Sequence, residues 1–97
     1  MNVARSDAAA PTISVSVRYL SALRERAGTR RDELALPPGS TLSAAADWIR
    51  NTRGIEVPGP ALMSTLNGHG WAQLPAGLAT ELHEGDEIAL FPLLSGG

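Results

Sequence analysis

The sequence contains no cysteine and no lysine, and each absence excludes classes of chemistry. All eight basic residues among the 97 residues are arginine. Without a thiol the chain has no disulfide framework, no thiolate metal site and no cysteine nucleophile. Without lysine it forms no Schiff base and offers no side-chain amine to an isopeptide bond. The two histidines, His69 and His83, are too few for a metal site unless carboxylates assist, and we expect no bound metal.

Other classes are excluded by charge and by the lack of a long hydrophobic run. The formal net charge is −2, which gives no basic footprint for nucleic acid. No apolar run approaches the roughly 20 residues that span a bilayer, and the N-terminus lacks the apolar core of a secretory signal. The hydrophobic fraction of 43% is that of a globular domain. We therefore expect a small cytoplasmic protein without a membrane or nucleic-acid partner.

Alternation of apolar and polar residues predicts the strands. Residues 12–19 place Ile13, Val15, Val17 and Tyr19 on one face, which is typical of a half-buried strand. Asn67-Gly68 is a strong signal for a tight turn. Four further strands are predicted, over residues 31–36, 62–66, 70–74 and 87–91.

Helical spacing predicts one main helix over residues 41–53, with Ser40 or Thr41 as its N-cap. A shorter helix is predicted over residues 20–27, ended by Gly28. One long helix needs a sheet on which to bury its apolar stripe, so the fold class is two-layer α+β. We expect a mixed sheet packed on one main helix, a β-grasp arrangement with the first strand beside both the second and the last.

The predicted domain organisation is a disordered leader over residues 1–11, a β-grasp domain over residues 12–92 and a flexible tail over residues 93–97. The tail ends on Gly96-Gly97. Glycine has no Cβ, so a terminal carboxylate there is sterically open, and its pKa of roughly 3.5 keeps it ionised at neutral pH. Two interpretations remain: a frayed end, and a thread that presents its carboxylate to another protein's active site.

Elsewhere the chain offers only weak candidates for function. It has no nucleophile elbow, no dinucleotide fingerprint and no phosphate-binding loop. Trp48 and Trp71 are either core residues or exposed anchors for a partner. A local group of acidic residues is either a solvated turn or a docking surface for a basic partner. This acidic group consists of Glu81, Glu84, Asp86 and Glu87.

The end of the chain, DEIALFPLLSGG, resembles the C-terminus of the ubiquitin-like sulfur carriers, especially the small subunit of molybdopterin synthase. That family typically closes with G-D-E-[VI]-x-x-F-P-P-V-[ST]-G-G, which Gly85–Ile88, Phe91-Pro92 and Ser95–Gly97 match. The stretch VRYLSALRERAGT is similar to the family's first strand and the turn that follows it. Asn67 matches the asparagine at the end of the family's third strand. Leu93-Leu94 stands where the family usually has Pro-Val.

The resemblance implies a β-grasp fold and a reaction cycle centred on Gly97. An E1-like adenylating enzyme consumes ATP to convert the Gly97 carboxylate into an acyl-adenylate, and a sulfur donor protein then gives a thiocarboxylate. The tail, with Gly96 before the reactive residue, enters the molybdopterin synthase large subunit and donates sulfur. The chain itself would bind no cofactor and would be a non-catalytic, sulfur-donating subunit of a sulfurtransferase.

The resemblance also implies a partner-binding surface around the tail. Alternation leaves Phe91 on the face of the last strand opposite Ile88 and Leu90. Relatives with the same Gly-Gly end serve thiamine synthesis, tRNA thiolation, cysteine synthesis or secondary metabolism. A protein modifier joined through Gly97 to amines on its targets, and a plain β-grasp binding module, are further alternatives. The implied partner-binding residues are Leu20, Phe91, Pro92, Leu93, Leu94 and Ser95.

Overall fold

A computed structural model describes residues 11–93 as a five-stranded mixed sheet with one main helix packed against it. Two short 3-10 turns, Trp71–Gln73 and Gly77–Ala79, lie between the fourth and fifth strands. In chain order the remaining elements are β1 (Ile13–Tyr19), α1 (Leu23–Ala27), β2 (Arg31–Leu36), α2 (Leu42–Arg53), β3 (Leu62–Leu66), β4 (His69–Gly70) and β5 (Glu87–Pro92).

The strand order is β2-β1-β5-β3-β4. The first strand pairs antiparallel with β2 and parallel with β5, and Tyr19 stands opposite Leu90 in the parallel pair. The strand β3 pairs antiparallel with β5 on its other side. The predicted placement of the first strand between the second and the last is therefore confirmed. Because β1 and β5 are parallel, both end at the same edge of the sheet.

The core lies between α2 and one face of the sheet. Val15, Val17 and Tyr19 of β1 are fully buried, as are Ile88 and Leu90 of β5. Alternation puts these side chains on a single face, because successive residues of a strand point to opposite sides. The helix covers this face with its predicted apolar stripe. The buried residues of that stripe are Leu42, Ala45, Ala46 and Ile49.

Tertiary contacts, and not a side-chain cap, hold the start of α2. Thr41 occupies the N-cap position but its side chain makes no capping hydrogen bond, and the Ser40 hydroxyl donates to the Pro37 carbonyl at 2.7 Å. The N–H of Leu42 donates to the carbonyl of Thr80 at 2.9 Å. The prediction of Ser40 or Thr41 as the N-cap residue is therefore confirmed for Thr41, but the capping hydrogen bond expected of its side chain is not formed. The N–H group at the start of the helix thus finds its acceptor in a loop far along the chain. The spacing of residues in the sequence does not reveal such a contact.

The predicted return strand over residues 70–74 is also wrong in its extent. Only His69 and Gly70 pair with β3, after which the chain enters a 3-10 turn. Trp71 is 5% exposed and belongs to the core, and burial of its large ring outweighs continued pairing at the sheet edge. The turn before β4 is confirmed, because Asn67 and Gly68 both have positive φ, at 52° and 87°.

Parts of the sequence predictions lie outside the described residues. Apart from Pro11, the predicted leader is among them, and so are Leu94, Ser95, Gly96 and Gly97. The leader and the tail therefore stay predictions. Between residues 11 and 93 no helix combines the length and the apolar character that crossing a membrane requires.

Candidate functional site at the root of the tail

The candidate site lies where β5 ends and the chain leaves the sheet. The backbone N–H of Leu20 donates to the carbonyl of Leu90 at 3.0 Å, and the N–H of Leu93 donates to the carbonyl of Ala61 at 3.0 Å. Backbone hydrogen bonds therefore hold the chain on the β1 side as far as Leu90 and on the β3 side as far as Leu93. Four residues follow in the sequence, and four extended residues reach at most about 14 Å. Whatever binds Gly97 must approach this edge closely.

An apolar patch surrounds this point on the sheet face opposite α2. Phe91 lies on this face, because Leu90 before it points into the core. The side chain of Phe91 is half-buried. The side chain of Met63, which stands opposite Phe91 in the β3–β5 register, is on the same face and is 37% exposed. Leu20 follows β1 beside Phe91 and is also half-buried. We call Leu20, Met63 and Phe91 the tail-root patch.

Pro92 and Leu93 extend the apolar surface to the edge of the sheet. Pro92 stands opposite Leu62 and has no N–H with which to continue the ladder. Leu93 is 50% exposed. Together they form one wall of an open depression of about 260 Å³ beside α1. The structure thus brings together Leu20, Phe91, Pro92 and Leu93 of the predicted partner-binding residues, while Leu94 and Ser95 lie outside the described part of the chain.

The acidic group lies at the opposite end of β5, and three of its members have structural partners, counting the 3.7 Å ion pair of Glu87 with Arg18. The Asp86 carboxylate accepts the side-chain amide of Asn67 at 3.0 Å and the N–H of His83 at 2.8 Å. The Asn67 side-chain oxygen accepts the N–H of Glu87 at 2.9 Å. Glu84 accepts the N–H of Ser14 at 2.8 Å. These contacts support the interpretation as a turn, and docking of a basic partner there stays a prediction.

Tyr19, Asp32 and Arg53 form a polar network that the sequence analysis did not predict. The Asp32 carboxylate accepts two hydrogen bonds from the Arg53 guanidinium, at 2.6 and 2.8 Å, and one from the Tyr19 hydroxyl at 2.8 Å. Arg53 also donates to the carbonyl of Ala27 at 3.2 Å. The sequence predicts only that Arg53 lies in the last turn of the main helix, where a cation is favourable. Its partner lies 21 residues earlier, and no local pattern reveals such a pair.

The network fixes the protonation states of its members through the neutral range. Hydrogen bonds from Arg53 hold the pKa of the Asp32 carboxyl below its ordinary value. Burial, and secondarily the hydrogen bond to Asp32, raise the pKa of the Tyr19 hydroxyl well above its ordinary value. An ionised Asp32 and a protonated Tyr19 are therefore the stable pair. The network links β1, β2 and α2, and we assign it to stability.

Neither tryptophan forms an exposed anchor, and no metal cluster is present in the described region. Trp71 is buried in the core, and Trp48 is half-buried against the core. The alternative of Trp71 as an exposed partner anchor is therefore wrong. Within residues 11–93 no three His, Asp or Glu side chains lie close enough together to hold a metal ion.

The strand order, the parallel β1–β5 pair and the main helix define a ubiquitin-like β-grasp fold. The small archaeal modifier protein 1 from Methanosarcina acetivorans is similar with a TM-score of 0.72 and 24% identity, over 90% of this chain and 99% of that chain. A putative molybdopterin converting factor subunit 1 from Pyrococcus furiosus gives 0.69 and 24%, over 84% and 99%. The complex of molybdopterin-converting factor subunits 1 and 2 from Helicobacter pylori gives 0.61 and 21%, over 88% and 100%.

The chain matches the ThiS family over residues 17–97 and belongs to that family. It is thus a protein of the ubiquitin-like class that comprises sulfur carriers and small protein modifiers, in agreement with the C-terminal resemblance. No curated protein sequence matches the chain. At these identities the structural likenesses show the fold, and they confirm the predicted β-grasp.

Proposed function

We propose that this protein carries sulfur as a thiocarboxylate on Gly97 and serves as the small subunit of molybdopterin synthase. The observation that carries the proposal is the assembly of Leu20, Phe91 and Leu93 at the point where β5 ends. A partner that binds this surface has Gly97 within about 14 Å of Leu93, because only four residues follow Leu93 in the sequence. Membership of the ThiS family supports the same interpretation.

The chemistry requires activation of a carboxylate. One oxygen of the Gly97 carboxylate attacks the α-phosphorus of ATP, and pyrophosphate leaves with the electrons of the broken P–O bond. Hydrosulfide supplied by a donor then attacks the acyl carbon, and AMP leaves as the C–O bond breaks. The product is a thiocarboxylate. The sequence has no phosphate-binding loop, so we assign ATP binding to an E1-like partner.

The composition of the chain suits this task. The chain has no cysteine, so no thiol of its own competes for the acyl-adenylate or forms a disulfide with the sulfur product. Gly96 and Gly97 carry no Cβ, which leaves the acyl carbon open to attack from either side. The folded domain then serves as the part that partner proteins bind. The hydrogen bond from the N–H of Leu93 to the carbonyl of Ala61 marks the end of that domain.

The molybdopterin branch is supported by two neighbours of known name. One is a putative molybdopterin converting factor subunit 1, and another is the complex of subunits 1 and 2 of that factor. By analogy with that complex, we propose a large subunit as the partner of the tail-root patch. The sulfur would pass from Gly97 to a cyclic pterin precursor held by that subunit.

A second candidate function is protein modification. The structure of a small archaeal modifier protein 1 is similar over nearly all of its length. In this alternative an amine of a target attacks the Gly97 acyl-adenylate and an amide bond forms as AMP leaves. The chain has no lysine, so it offers no side-chain amine to a second copy. Conjugates would then contain single copies, unless a second copy is joined through an α-amino group.

Two assays with the purified E1-like enzyme and large subunit of the same organism test the proposal. We expect release of pyrophosphate from ATP with the intact chain and none with a chain that lacks Gly97. With a sulfur source, the precursor should then be converted to a dithiolene. Absence of pyrophosphate release contradicts the carrier proposal. Release without conversion contradicts the molybdopterin branch, and adducts of higher mass in a cell lysate favour the modifier.

A further inference from the structure

Four arginines surround an open depression beside the tail-root patch. The depression has a volume of about 330 Å³, and Leu20 forms its apolar wall. These residues come from the end of β1, from α1 and from the beginning of β2 with the residue before it, so three neighbouring parts of the chain line one depression. The arginines are Arg18, Arg24, Arg30 and Arg31.

The charge at this depression is only partly balanced within the chain. Arg18 lies 3.7 Å from the Glu87 carboxylate and Arg31 lies 2.9 Å from that of Glu33, and all four side chains in these pairs are 42–57% exposed. Arg24 donates to the carbonyl of Tyr19 at 3.3 Å. Arg30 is exposed and forms no ion pair with another residue of 11–93. Exposed pairs of this kind are weak and exchange readily with another carboxylate.

The register of the sheet places this positive charge near the end of β5. The carbonyl of Arg30 accepts the N–H of Tyr19 at 2.9 Å, and Tyr19 stands opposite Leu90. Arg30 is therefore two strand spacings, or about 10 Å, from Leu90 near the end of β5. Glu84 and Asp86 lie at the opposite end of that strand. The chain thus has a net negative charge but a positive surface at the end from which the tail leaves.

We propose that Arg18, Arg24, Arg30 and Arg31 form a docking site for an acidic polypeptide segment of the protein that receives the tail. The proposal rests on the proposed function only in assuming such a receiver. Guanidinium groups bind carboxylates through paired hydrogen bonds. The depression is open and its wall includes Leu20, which favours a polypeptide that carries apolar and acidic side chains over a compact inorganic anion. Charge of this kind steers association and orients the partner.

The test measures binding of a hexaglutamate peptide to the full chain by NMR. We compare the double variant Arg18→Gln/Arg30→Gln with the matched control Arg26→Gln/Arg50→Gln, which changes the net charge equally outside the depression. Each exposed pair changes affinity by roughly two- to fivefold, so we expect about fivefold weaker binding for the first variant and less than twofold for the control. Amide shifts should centre on residues 18–31, and binding should disappear in about 1 M salt.

Three results would overturn the proposal. The first is an equal loss in both double variants, which would indicate a response to net charge alone. The second is the absence of amide shifts around the depression. The third is stronger binding of inorganic tripolyphosphate than of hexaglutamate at the same residues, which would identify a phosphate site. None of these measurements uses Gly97, so failure here is distinct from failure of the carrier chemistry.

Discussion

Leu20 and Leu90 are joined by a backbone hydrogen bond of 3.0 Å across the parallel pair of β1 and β5. The bond places the end of the first strand beside the end of the last. A segment near the start of the sequence therefore contributes an apolar side chain and a cluster of arginines to the surface around the tail. The tail-root patch and the arginine-lined depression are neighbours for this reason, and they share Leu20.

Phe91→Arg is predicted to weaken binding to the large subunit by more than tenfold. The ring lies on the face opposite the core, and a buried aromatic contact at an interface contributes about 2 kcal/mol or more. We expect the melting temperature to change by only a few degrees, because Phe91 is half-exposed. Titration calorimetry and a thermal melt measure the two effects.

The matched control for Phe91→Arg is Ala35→Arg on the edge strand β2. Ala35 is exposed and pairs with Ser14, remote from β5, so the same added charge should leave affinity within about twofold of the wild type. A steep fall in melting temperature with unchanged affinity for Phe91→Arg would show that the ring belongs to the core and not to an interface.

Removal of Gly97, or addition of one residue after it, is predicted to abolish sulfur transfer without changing stability. The strand β5 ends at Pro92, five residues before Gly97 in the sequence, so we expect neither change to affect the packing of the sheet. The melting temperature should stay within about 1 °C of the wild type. Sulfur transfer is measured with the E1-like enzyme, ATP and a sulfur source. Full transfer by the chain with one added residue would show that Gly97 is not the reactive end.

Asp32→Asn is predicted to lower the free energy of unfolding by about 1–3 kcal/mol at neutral pH, as expected for hydrogen bonds to a charged group. Because the pKa of Asp32 is lowered in the folded state, its contribution is present above the unfolded value near 3.9 and is lost as pH falls through the folded value. The difference between wild type and variant should therefore shrink in acid. Urea unfolding at neutral and acidic pH measures it.

The control for Asp32→Asn is Asp47→Asn, which removes the exposed pair with Arg50. An exposed pair of residues three apart on a helix contributes about 0.5 kcal/mol or less. A difference for Asp32→Asn that is independent of pH would contradict the assignment of the network, because it would indicate a packing effect and not the loss of an ionised partner.

Asn67→Ala is predicted to destabilise the fold by about 2–4 kcal/mol. It removes hydrogen bonds to Asp86 and Glu87, each contributing about 1 kcal/mol, and places alanine at a φ of 52°, which costs about 1–2 kcal/mol. Asn67→Gly loses the same hydrogen bonds without the strain, so it should recover about 1 kcal/mol relative to alanine. Equal unfolding free energies for the two variants would contradict this account of the turn.

Local patterns predicted most of the fold, because each main element has one apolar face that repeats at the spacing of its own backbone. The bounds of β2 and β3 agree with the prediction, and β5 extends one residue further, to Pro92. The extent of β4 was missed, since Trp71 is placed by the core and not by alternation along the strand. The N-terminal contacts of α2 were missed because Thr80, which lies far along the chain, supplies them.

The candidate site was predictable only in part. Alternation placed Phe91 opposite the core, and the apolar character of the first and last strands predicted their pairing. Met63 joins the patch through the register of β3 against β5, which no local signal determines. The arginine cluster is likewise created by topology, because Arg18 and Arg31 stand opposite each other only when β1 and β2 pair.

The central claim is that sulfur is carried on Gly97, and intact mass spectrometry with fragmentation tests it most directly. The chain is incubated with the E1-like enzyme, ATP and a sulfur source, and its mass is compared with that of an incubation without ATP. We predict an ATP-dependent gain of about 16 Da, from replacement of one oxygen by sulfur, found only in fragments that contain Gly97. An unchanged mass, or a gain found in fragments that lack Gly97, would contradict the account.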